Sequence, residues 1–135
     1  MTVQQLAKRV GLPAHVVRYY TQCGLLRPSR NARNRYREYA EKDLYRLQFI
    51  SRAKTVGFTL SDIKLILRDA DRGIAPCADV RRLVQLRAQE NERRLADAEQ
   101  LQRRIREAVR AWESIPDQPS DHQSLCRLID AVAIK

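Results

Sequence analysis

The sequence predicts an all-α protein that carries one small two-stranded hairpin, and three features indicate it. Hydrophobic residues recur at helical spacing along most of the 135 positions, and only four glycines interrupt them. A basic stretch at residues 27–37 contains Pro28, Asn31 and Asn34, which favour a hairpin over a helix. An unbroken helical pattern then extends over residues 78–112.

Two short helices open the chain. Thr2 can cap a helix that runs to about residue 10, and Gly11 provides the turn that follows it. Pro13 suits the first position of a second helix, because its missing N–H would have no intrahelical partner there. That helix runs to about Gln22, and Gly24 is a natural stop. Two short helices joined by a tight turn predict a helix-turn-helix whose second helix is the recognition element.

The hairpin and two further helices complete the predicted first domain, residues 1–70. The hairpin resembles a wing whose arginines contact phosphates, and the alternative is a flexible basic loop without fixed contacts. A third helix is expected at about residues 41–56, with apolar residues spaced along one face. Thr59 and Asp62 form a capping-box-like start to a fourth helix that ends near Arg68. Together these elements describe a winged helix-turn-helix domain.

A long helix follows a predicted linker at residues 71–77. Two rows of positions spaced seven apart along residues 78–112 are apolar at both ends and polar in the middle, at Arg87, Asn91 and Arg94. A helix of roughly 35 residues is about 50 Å long, too long to bury that stripe against so small a domain. We therefore expect a coiled coil with a second copy, so that the homodimer reads a pseudo-palindromic DNA site.

The last segment, residues 113–135, is predicted to contain a loop and a short helix. Proline, serine and aspartate are frequent at residues 115–124, which favours a loop there. The helix is expected from Leu125 to Val132, with its apolar residues on one side. This segment is too short to form a separate ligand-binding domain.

Positive charge is concentrated in the first half of the chain. Residues 1–59 contain twelve Lys or Arg and three Asp or Glu, which places +9 of the net charge of +10 there. A polyanion that meets only this half accounts for the asymmetry. A membrane surface would also attract the charge, but the sequence has no apolar run of about 20 residues and no signal-peptide pattern. Double-stranded DNA is therefore the expected partner, without a membrane.

Cysteine and histidine usage limits the other function classes. Cys23, Cys77 and Cys126 are far apart and odd in number, which favours reduced thiols in the cytoplasm over a secreted disulfide framework. An enzyme is disfavoured because His15 and His122 are distant and no glycine-rich phosphate loop is present. A protein-interaction adaptor is also disfavoured, because that function does not require positive charge to be concentrated beside a helix-turn-helix. A structural nucleoid protein is a further alternative. Sequence-specific DNA binding that responds to an effector would exclude it.

The order of these elements resembles the MerR family of bacterial transcription regulators. The likeness covers the full chain, is specific in the first 70 residues, and continues into the long helix. Pro13 departs from the Ser or Thr that often caps the second helix, and Asn34-Arg35 departs from the usual Asn-Gly of the wing. The residues that carry the likeness are Leu6, Ala7, Gly11, Arg18, Tyr19, Tyr20, Gly24, Leu25, Leu26, Tyr36, Arg37, Tyr39, Leu44, Leu47, Ile50, Ala53, Gly57, Phe58, Leu60 and Ile63.

The resemblance implies a winged-helix homodimer that is joined by an antiparallel pair of long helices. Such regulators bind a promoter whose spacer between the −35 and −10 elements is overlong. On binding an effector they distort the DNA, which brings both elements into register for RNA polymerase. Deforming the duplex costs roughly a few kcal/mol, which the phosphate contacts offset. The DNA contacts that the resemblance implies are Val17, Arg18, Tyr19, Tyr36 and Arg37, with Lys54 as a lesser candidate.

The resemblance also implies a metal effector. Metal-sensing members of the family carry a cysteine at the start of the dimer helix, where Cys77 stands, and others in the following loop, where Cys126 stands. A cysteine at the first position accompanies sensors of soft divalent metals, and thiolates bind Hg, Cd, Pb and Zn strongly. In an antiparallel dimer, Cys77 of one chain would lie near Cys126 of the other. The family's further loop cysteine is missing, since Trp112 and Ser114 stand there, and His122 is the nearest substitute ligand.

Other interpretations of the thiols stay open. The same cysteines could sense oxidants or electrophiles, or the effector could be a non-metal compound. In the last case Cys77 and Cys126 would be small buried hydrophobic residues, and His122 a solvated loop residue. Cys23, at the end of the recognition helix, is interpreted as a packing residue.

Overall fold

A computed structural model describes residues 1–134 of the protein and confirms the helical fold with its two-stranded wing. Among these residues, no helix is both long enough and apolar enough to cross a membrane. In chain order, the elements are α1 (Val3–Val10), α2 (Ala14–Gln22), β1 (Ser29–Arg30), β2 (Arg37–Glu38), α3 (Glu41–Val56), α4 (Leu60–Asp71), α5 (Cys77–Trp112) and α6 (Arg127–Asp130).

Local sequence features set the boundaries of the first two helices. Thr2 and Gln5 form a complete capping box, because the Thr2 hydroxyl accepts from the Gln5 N–H at 3.1 Å and the Gln5 amide oxygen accepts from the Thr2 N–H at 2.9 Å. Gly11 ends α1 in the left-handed conformation, at φ 79°. Pro13 is the N-cap of α2 and has an extended backbone. Helix α2 therefore begins at Ala14, one residue later than the sequence predicts.

The wing is an antiparallel pair in which Ser29 lies opposite Glu38 and Arg30 lies opposite Arg37. Its turn is closed by backbone bonds of 2.9 Å from the Asn31 N–H to the Tyr36 carbonyl and from the Arg35 N–H to the Asn31 carbonyl. Arg35 occupies the left-handed region at φ 59°. This confirms the hairpin that the basic stretch predicts.

The chain divides into two compact units, of which the first spans Met1–Gln89. Its core includes Leu83 of α5, which is 5% exposed, while Val80 and Val84 pack against the core from the same helix. The first turns of α5 therefore belong to the first unit, beyond the predicted linker. The other buried core residues are Leu6, Ala7, Val17, Tyr20, Leu25, Leu26, Tyr39, Leu44, Leu47, Ile50, Ala53, Phe58, Ile63, Ile66 and Leu67.

Arg87 differs from the sequence prediction, which treats it as a polar position of the coiled-coil face. Its Nε lies 3.2 Å from Oδ2 of Asp62, a carboxylate that is buried within the same unit. Oδ2 of Asp62 also accepts from the Thr59 N–H at 2.9 Å, so it caps α4 at the same time. Arg87 thus joins α5 to the start of α4, because a buried carboxylate requires charged or hydrogen-bonded partners.

The second unit spans Glu90–Lys135 and contains the remainder of α5. Large apolar side chains of this part of α5 are exposed, between 46% and 64% of their surface being accessible. Those side chains are Leu95, Leu101, Ile105 and Val109.

The C-terminal helix is shorter than predicted, because α6 covers only Arg127–Asp130. The preceding residues form a turn in which Oδ1 of Asp121 accepts from the N–H groups of Gln123 and Ser124 at 2.8 and 2.9 Å. This turn and an N-cap at Cys126 delay the helix past Leu125. The predicted limits at Leu125 and Val132 are therefore wrong, and both side chains are exposed outside the helix.

Candidate nucleic-acid interface

A groove of about 530 Å³ lies between the start of α1, the recognition helix α2 and the wing. Four of its side chains are arginines, and none is a carboxylate. The groove therefore has strongly positive character, since guanidinium groups stay charged at every physiological pH. The residues that line it are Thr2, Val3, Gln4, Arg18, Arg30, Arg35, Tyr36 and Arg37.

Burial of one face of α2 directs Arg18 into this groove. Val17 and Tyr20 are buried in the core, whereas Arg18, between them, is exposed. Helical spacing explains the alternation, because a residue next to a buried position lies about 100° around the helix. The recognition helix thus uses its apolar residues for docking and leaves the arginine available.

The turn of the wing arranges the other basic side chains. Nη1 of Arg30 donates to the Arg35 carbonyl oxygen at 3.1 Å, which ties the β1 arginine to the turn. Oδ1 of Asn34 accepts from the Tyr36 N–H at 3.0 Å, and the Tyr36 side chain is 74% exposed. Arg37, which is half-buried, follows on β2. An arginine-rich hairpin with an exposed phenol offers charge-assisted and neutral hydrogen-bond donors to phosphate oxygens.

Two sets of hydrogen bonds hold the wing against the helices. The backbones of Met1 and Tyr39 exchange bonds, each N–H donating to the other carbonyl at 2.7 Å. The Tyr39 hydroxyl lies 2.8 Å from Oγ1 of Thr21, which itself donates to the Val17 carbonyl at 2.8 Å. Since Thr21 has one hydroxyl proton, the Tyr39 hydroxyl is the donor to it. The wing is thereby fixed to both α1 and α2.

Three of the predicted DNA-contact residues, Arg18, Tyr36 and Arg37, line the groove together. The sequence did not indicate that the N-terminus of α1, with Thr2, lies beside these arginines. A helix N-terminus favours phosphate through its free N–H groups and its dipole. The Met1–Tyr39 pairing that produces this proximity is a tertiary contact, so no local pattern could have revealed it.

The other predicted DNA-contact residues lie elsewhere. Val17 is fully buried, and its predicted contact with DNA is corrected to a packing role beneath the recognition helix. Lys54 is exposed in the last turn of α3, outside the residues that line the groove. Tyr19 is 51% exposed, and a hydrogen bond with the Cys23 thiol raises the pKa of its hydroxyl. Cys23 itself packs against the core, as predicted.

The thiols predicted to bind metal occupy separate units of the chain. Cys77 is the exposed first residue of α5 in the first unit, and Cys126 is the half-buried N-cap of α6 in the second. All three cysteines are free. His122 is exposed and precedes α6, so helical spacing does not place it on one face with Cys126. Within residues 1–134, no three His, Cys, Asp or Glu side chains converge as a metal site would require.

Comparison with known protein families assigns this architecture. Residues 1–70 match the description "MerR HTH family regulatory protein", and residues 44–108 match "MerR, DNA binding". The chain belongs to the MerR family. Like other members of this family, it is a DNA-binding transcription regulator and not an enzyme, which confirms the resemblance inferred from the sequence.

Two relatives of the MerR family illustrate the similarity in sequence. The HTH-type transcriptional regulator HmrR of Rhizobium leguminosarum bv. viciae is 34% identical over 114 residues, covering 82% of this chain and 85% of that protein. The heavy metal-dependent transcription regulator 1 of Rhizobium meliloti (strain 1021) is 35% identical over 105 residues, covering 75% and 69%.

Two solved structures of MerR-type regulators are similar along nearly the whole chain. The transcription regulator PbrR691 from Ralstonia metallidurans CH34, in complex with lead(II), has a TM-score of 0.74 at 24% identity and covers 98% of this chain and 99% of that one. The dual function regulator MerR from Bacillus megaterium MB1, in complex with mercury(II), has a TM-score of 0.59 at 25% identity and covers 96% and 97%. These similarities support the fold described above.

Proposed function

We propose that this regulator binds promoter DNA as a homodimer through the wing groove and responds to a soft metal ion bound by its thiols. The observation that carries the DNA-binding part is the convergence of Arg18, Tyr36 and Arg37 in one groove without a carboxylate. A groove of this composition suits a polyanion, because each phosphate can accept bidentate bonds from a guanidinium group.

The proposed contacts divide by chemistry. Arg18, on the recognition helix, reaches base edges or the adjacent phosphates in the major groove. The wing residues Tyr36 and Arg37 bind the sugar–phosphate backbone and fix the register of the protein. Tyr19 and Lys54, which are exposed outside the groove, are proposed as further DNA contacts.

Substitution of the two arginines tests the DNA-binding proposal. Arg18→Ala should weaken operator binding by about 1–3 kcal/mol, because a recognition-helix arginine loses charge-assisted bonds. Arg37→Ala should weaken specific and non-specific DNA alike and reduce the slope of log affinity against log salt by about 0.9 for each phosphate that the protein no longer neutralises. Fluorescence anisotropy measures both. Lys8→Ala, an exposed cation of α1 outside the groove, is the matched control. Wild-type affinity of both arginine variants would assign DNA binding to another surface.

The dimer that we propose brings two such grooves to a pseudo-palindromic operator. The exposed apolar residues of α5 in the second unit support it, since a coiled coil would cover them. Two linked DNA-binding domains can also impose a distortion on the DNA between them. We therefore propose that the effector changes this distortion and presents the promoter to RNA polymerase in the correct register.

Several observations support a soft metal as the effector. The similar proteins include one named as heavy metal-dependent and two solved with lead(II) or mercury(II). Cys77 is exposed at the first residue of α5 and is free to act as a ligand. Because no three His, Cys, Asp or Glu side chains converge within residues 1–134 of one protomer, the proposed site needs donors from both protomers.

In the proposed sensor, Cys77 of one protomer and Cys126 of its partner hold the ion, with His122 as a further candidate ligand. Bound metal supplies a cross-link between protomers that is sensitive to their relative orientation. The thiols must lose their protons to become ligands, so metal binding should release protons and strengthen as the pH rises.

Titration with Hg(II) or Cd(II) tests the metal part. Thiolate ligation should produce a sulfur-to-metal charge-transfer absorbance, and Cys77→Ser and Cys126→Ser should each abolish it while DNA binding persists. Cys23→Ser is the matched control, because this thiol packs against the core of the first unit. If the wild-type protein gives no such band, the remaining candidates are redox or electrophile sensing by the same thiols, or a non-metal effector.

A further inference from the structure

A second basic patch lies on the first unit, outside the wing groove. It surrounds two adjoining depressions of about 310 and 240 Å³, both of which are lined by Arg27, Arg46 and Asp71. The cations come from three parts of the fold: the segment between α2 and β1, helix α3, and helix α4. They are Arg27, Lys42, Arg46, Lys64 and Arg68, and we call them the second basic patch.

The carboxylate at the centre of the patch is already neutralised. Nη1 and Nη2 of Arg46 contact the two oxygens of Asp71 at 2.7 and 3.1 Å in a bidentate pair. Hydrogen bonding to the Arg46 guanidinium holds the pKa of Asp71 below its usual range. Nε of Arg46 donates to the Leu25 carbonyl oxygen. Asp43, which lines the larger depression, is buried and accepts from the Ala40 N–H at 2.9 Å. Both acids therefore have internal partners.

The other four cations of the patch are exposed. Within residues 1–134, the side chains of Arg27, Lys42, Lys64 and Arg68 donate no hydrogen bond to another protein group and form no ion pair within 4 Å. Arg27 and Arg68 are attracted to Asp71 and Asp69, but Asp71 is already paired with Arg46, so positive charge remains in excess across the patch. Because the exposed cations are spread over three elements, they match an extended polyanion better than a single small anion.

The position of the patch identifies that polyanion. Cys23 and Gly24, which line the smaller depression, directly follow the recognition helix, and Arg27 precedes β1 by two residues. Arg27 and Arg30 of the wing groove are three residues apart, so their Cα atoms are separated by at most about 11 Å. Duplex DNA carries a charge every ~1.7 Å along its axis, so one duplex offers phosphates over that whole distance.

We propose that the second basic patch binds backbone phosphates of the operator beside the segment that occupies the wing groove. The inference rests on the proposed DNA-binding role of that groove and adds contacts that carry no sequence information. Removing them should lower the affinity for operator and for unrelated DNA by the same factor, because both duplexes carry the same backbone.

Two variants of the full-length protein test this proposal. Lys64→Gln/Arg68→Gln neutralises two exposed positions of α4, and Arg27→Gln neutralises one loop position should the α4 variant fail to fold. The control, Arg103→Gln/Arg110→Gln, removes the same charge from exposed positions of α5 that lie outside both rows of the predicted coiled coil. Operator affinity is measured by fluorescence anisotropy at a series of potassium chloride concentrations. Circular dichroism confirms that each variant is helical.

We expect the α4 variant to lose on the order of tenfold in affinity at the lowest salt, and its log–log salt slope to fall by about 0.9 for each phosphate that it no longer neutralises. The ratio of specific to non-specific affinity should stay unchanged, and the control should match the wild-type protein.

A wild-type salt slope for folded α4 and loop variants would overturn the proposal. Wild-type DNA binding with impaired activation in transcription reconstituted with RNA polymerase would also overturn it, and would assign the patch to an acidic protein surface. Failure of the wild-type protein to bind DNA would instead contradict the proposed function itself.

Discussion

At the residue scale, Tyr39 shows how a buried polar group can position an exposed site. Its ring is 2% exposed, and its hydroxyl donates to Thr21 on the recognition helix at 2.8 Å. Tyr39 follows β2 directly, so this bond fixes the exit of the wing relative to α2. The orientation of the wing groove therefore depends on a residue that does not line it.

Replacing Tyr39 with Phe should destabilise the first unit by about 1 kcal/mol, because the substitution removes one buried hydrogen bond and leaves the ring in place. Urea denaturation followed by circular dichroism measures the change. Tyr36→Phe is the matched control, since the Tyr36 side chain is 74% exposed and its hydroxyl should contribute nothing to folding. Equal stabilities of the two variants would show that the Thr21 bond contributes nothing measurable to folding.

The adjacent residues Val17 and Arg18 show a limit of sequence reasoning at this scale. Both lie on the recognition helix, and the resemblance implies that both contact DNA. Only burial distinguishes them, because Val17 belongs to the buried core cluster with Leu6 while Arg18 is exposed. Burial depends on how α2 docks on its neighbours, which the sequence of α2 alone does not specify.

At the element scale, helix boundaries with a strong local cause could be predicted. The Thr2 capping box, the left-handed Gly11 and the Thr59–Asp62 box all lie where the sequence places them. The C-terminal helix could not be predicted well, since its apolar spacing is helical but the Asp121 turn competes for the same backbone. Local hydrogen bonds of this kind offer the chain an alternative to helix.

Helix α5 contains another element-scale feature that heptad spacing alone could not reveal. Its Arg87 position fits the predicted coiled-coil row, but the side chain is paired with buried Asp62 in the same unit. Residues of the predicted row therefore differ along the helix. Arg87 contacts α4, whereas Arg94 and Leu101, further along the same row, are exposed. Only the tertiary contact with α4 makes this distinction.

Arg87→Leu should destabilise the protein by about 2 kcal/mol, because it leaves the buried Asp62 carboxylate without its cationic partner. Arg94→Leu, one heptad further along the same row and exposed, is the control and should have little effect on the unfolding free energy of the first unit. Chemical denaturation of the two variants measures the difference. Addition of Asp62→Asn to Arg87→Leu should recover part of the stability, and no recovery would contradict the ion-pair explanation.

At the scale of the whole molecule, the second unit has exposed apolar side chains that its own residues do not cover. Leu101 and Ile105 of α5 are 50% and 46% exposed. Apolar exposure at heptad spacing is typical of a helix that pairs with another chain. The proposed homodimer follows from this feature and from the family to which the chain belongs.

Light scattering should return twice the chain mass of 15.7 kDa at micromolar concentration. Leu101→Glu/Ile105→Glu should shift the protein toward the monomer mass, because it buries charge in the paired face. Gln89→Glu/Gln100→Glu adds the same charge at exposed polar positions of α5 outside the apolar rows and should leave the dimer intact. A wild-type monomer, or a dimer that survives the first double substitution, would place the pairing surface elsewhere.

We propose that metal binding at Cys77 distorts the bound promoter, and one measurement tests both steps together. A promoter duplex with 2-aminopurine in its spacer reports unstacking by increased fluorescence while the regulator stays bound. We predict that Hg(II) or Cd(II) raises the fluorescence with the wild-type protein and with Cys23→Ser, and that Cys77→Ser binds the same duplex without any rise. An equal metal-dependent rise with Cys77→Ser would show that Cys77 does not bind the metal that distorts the promoter.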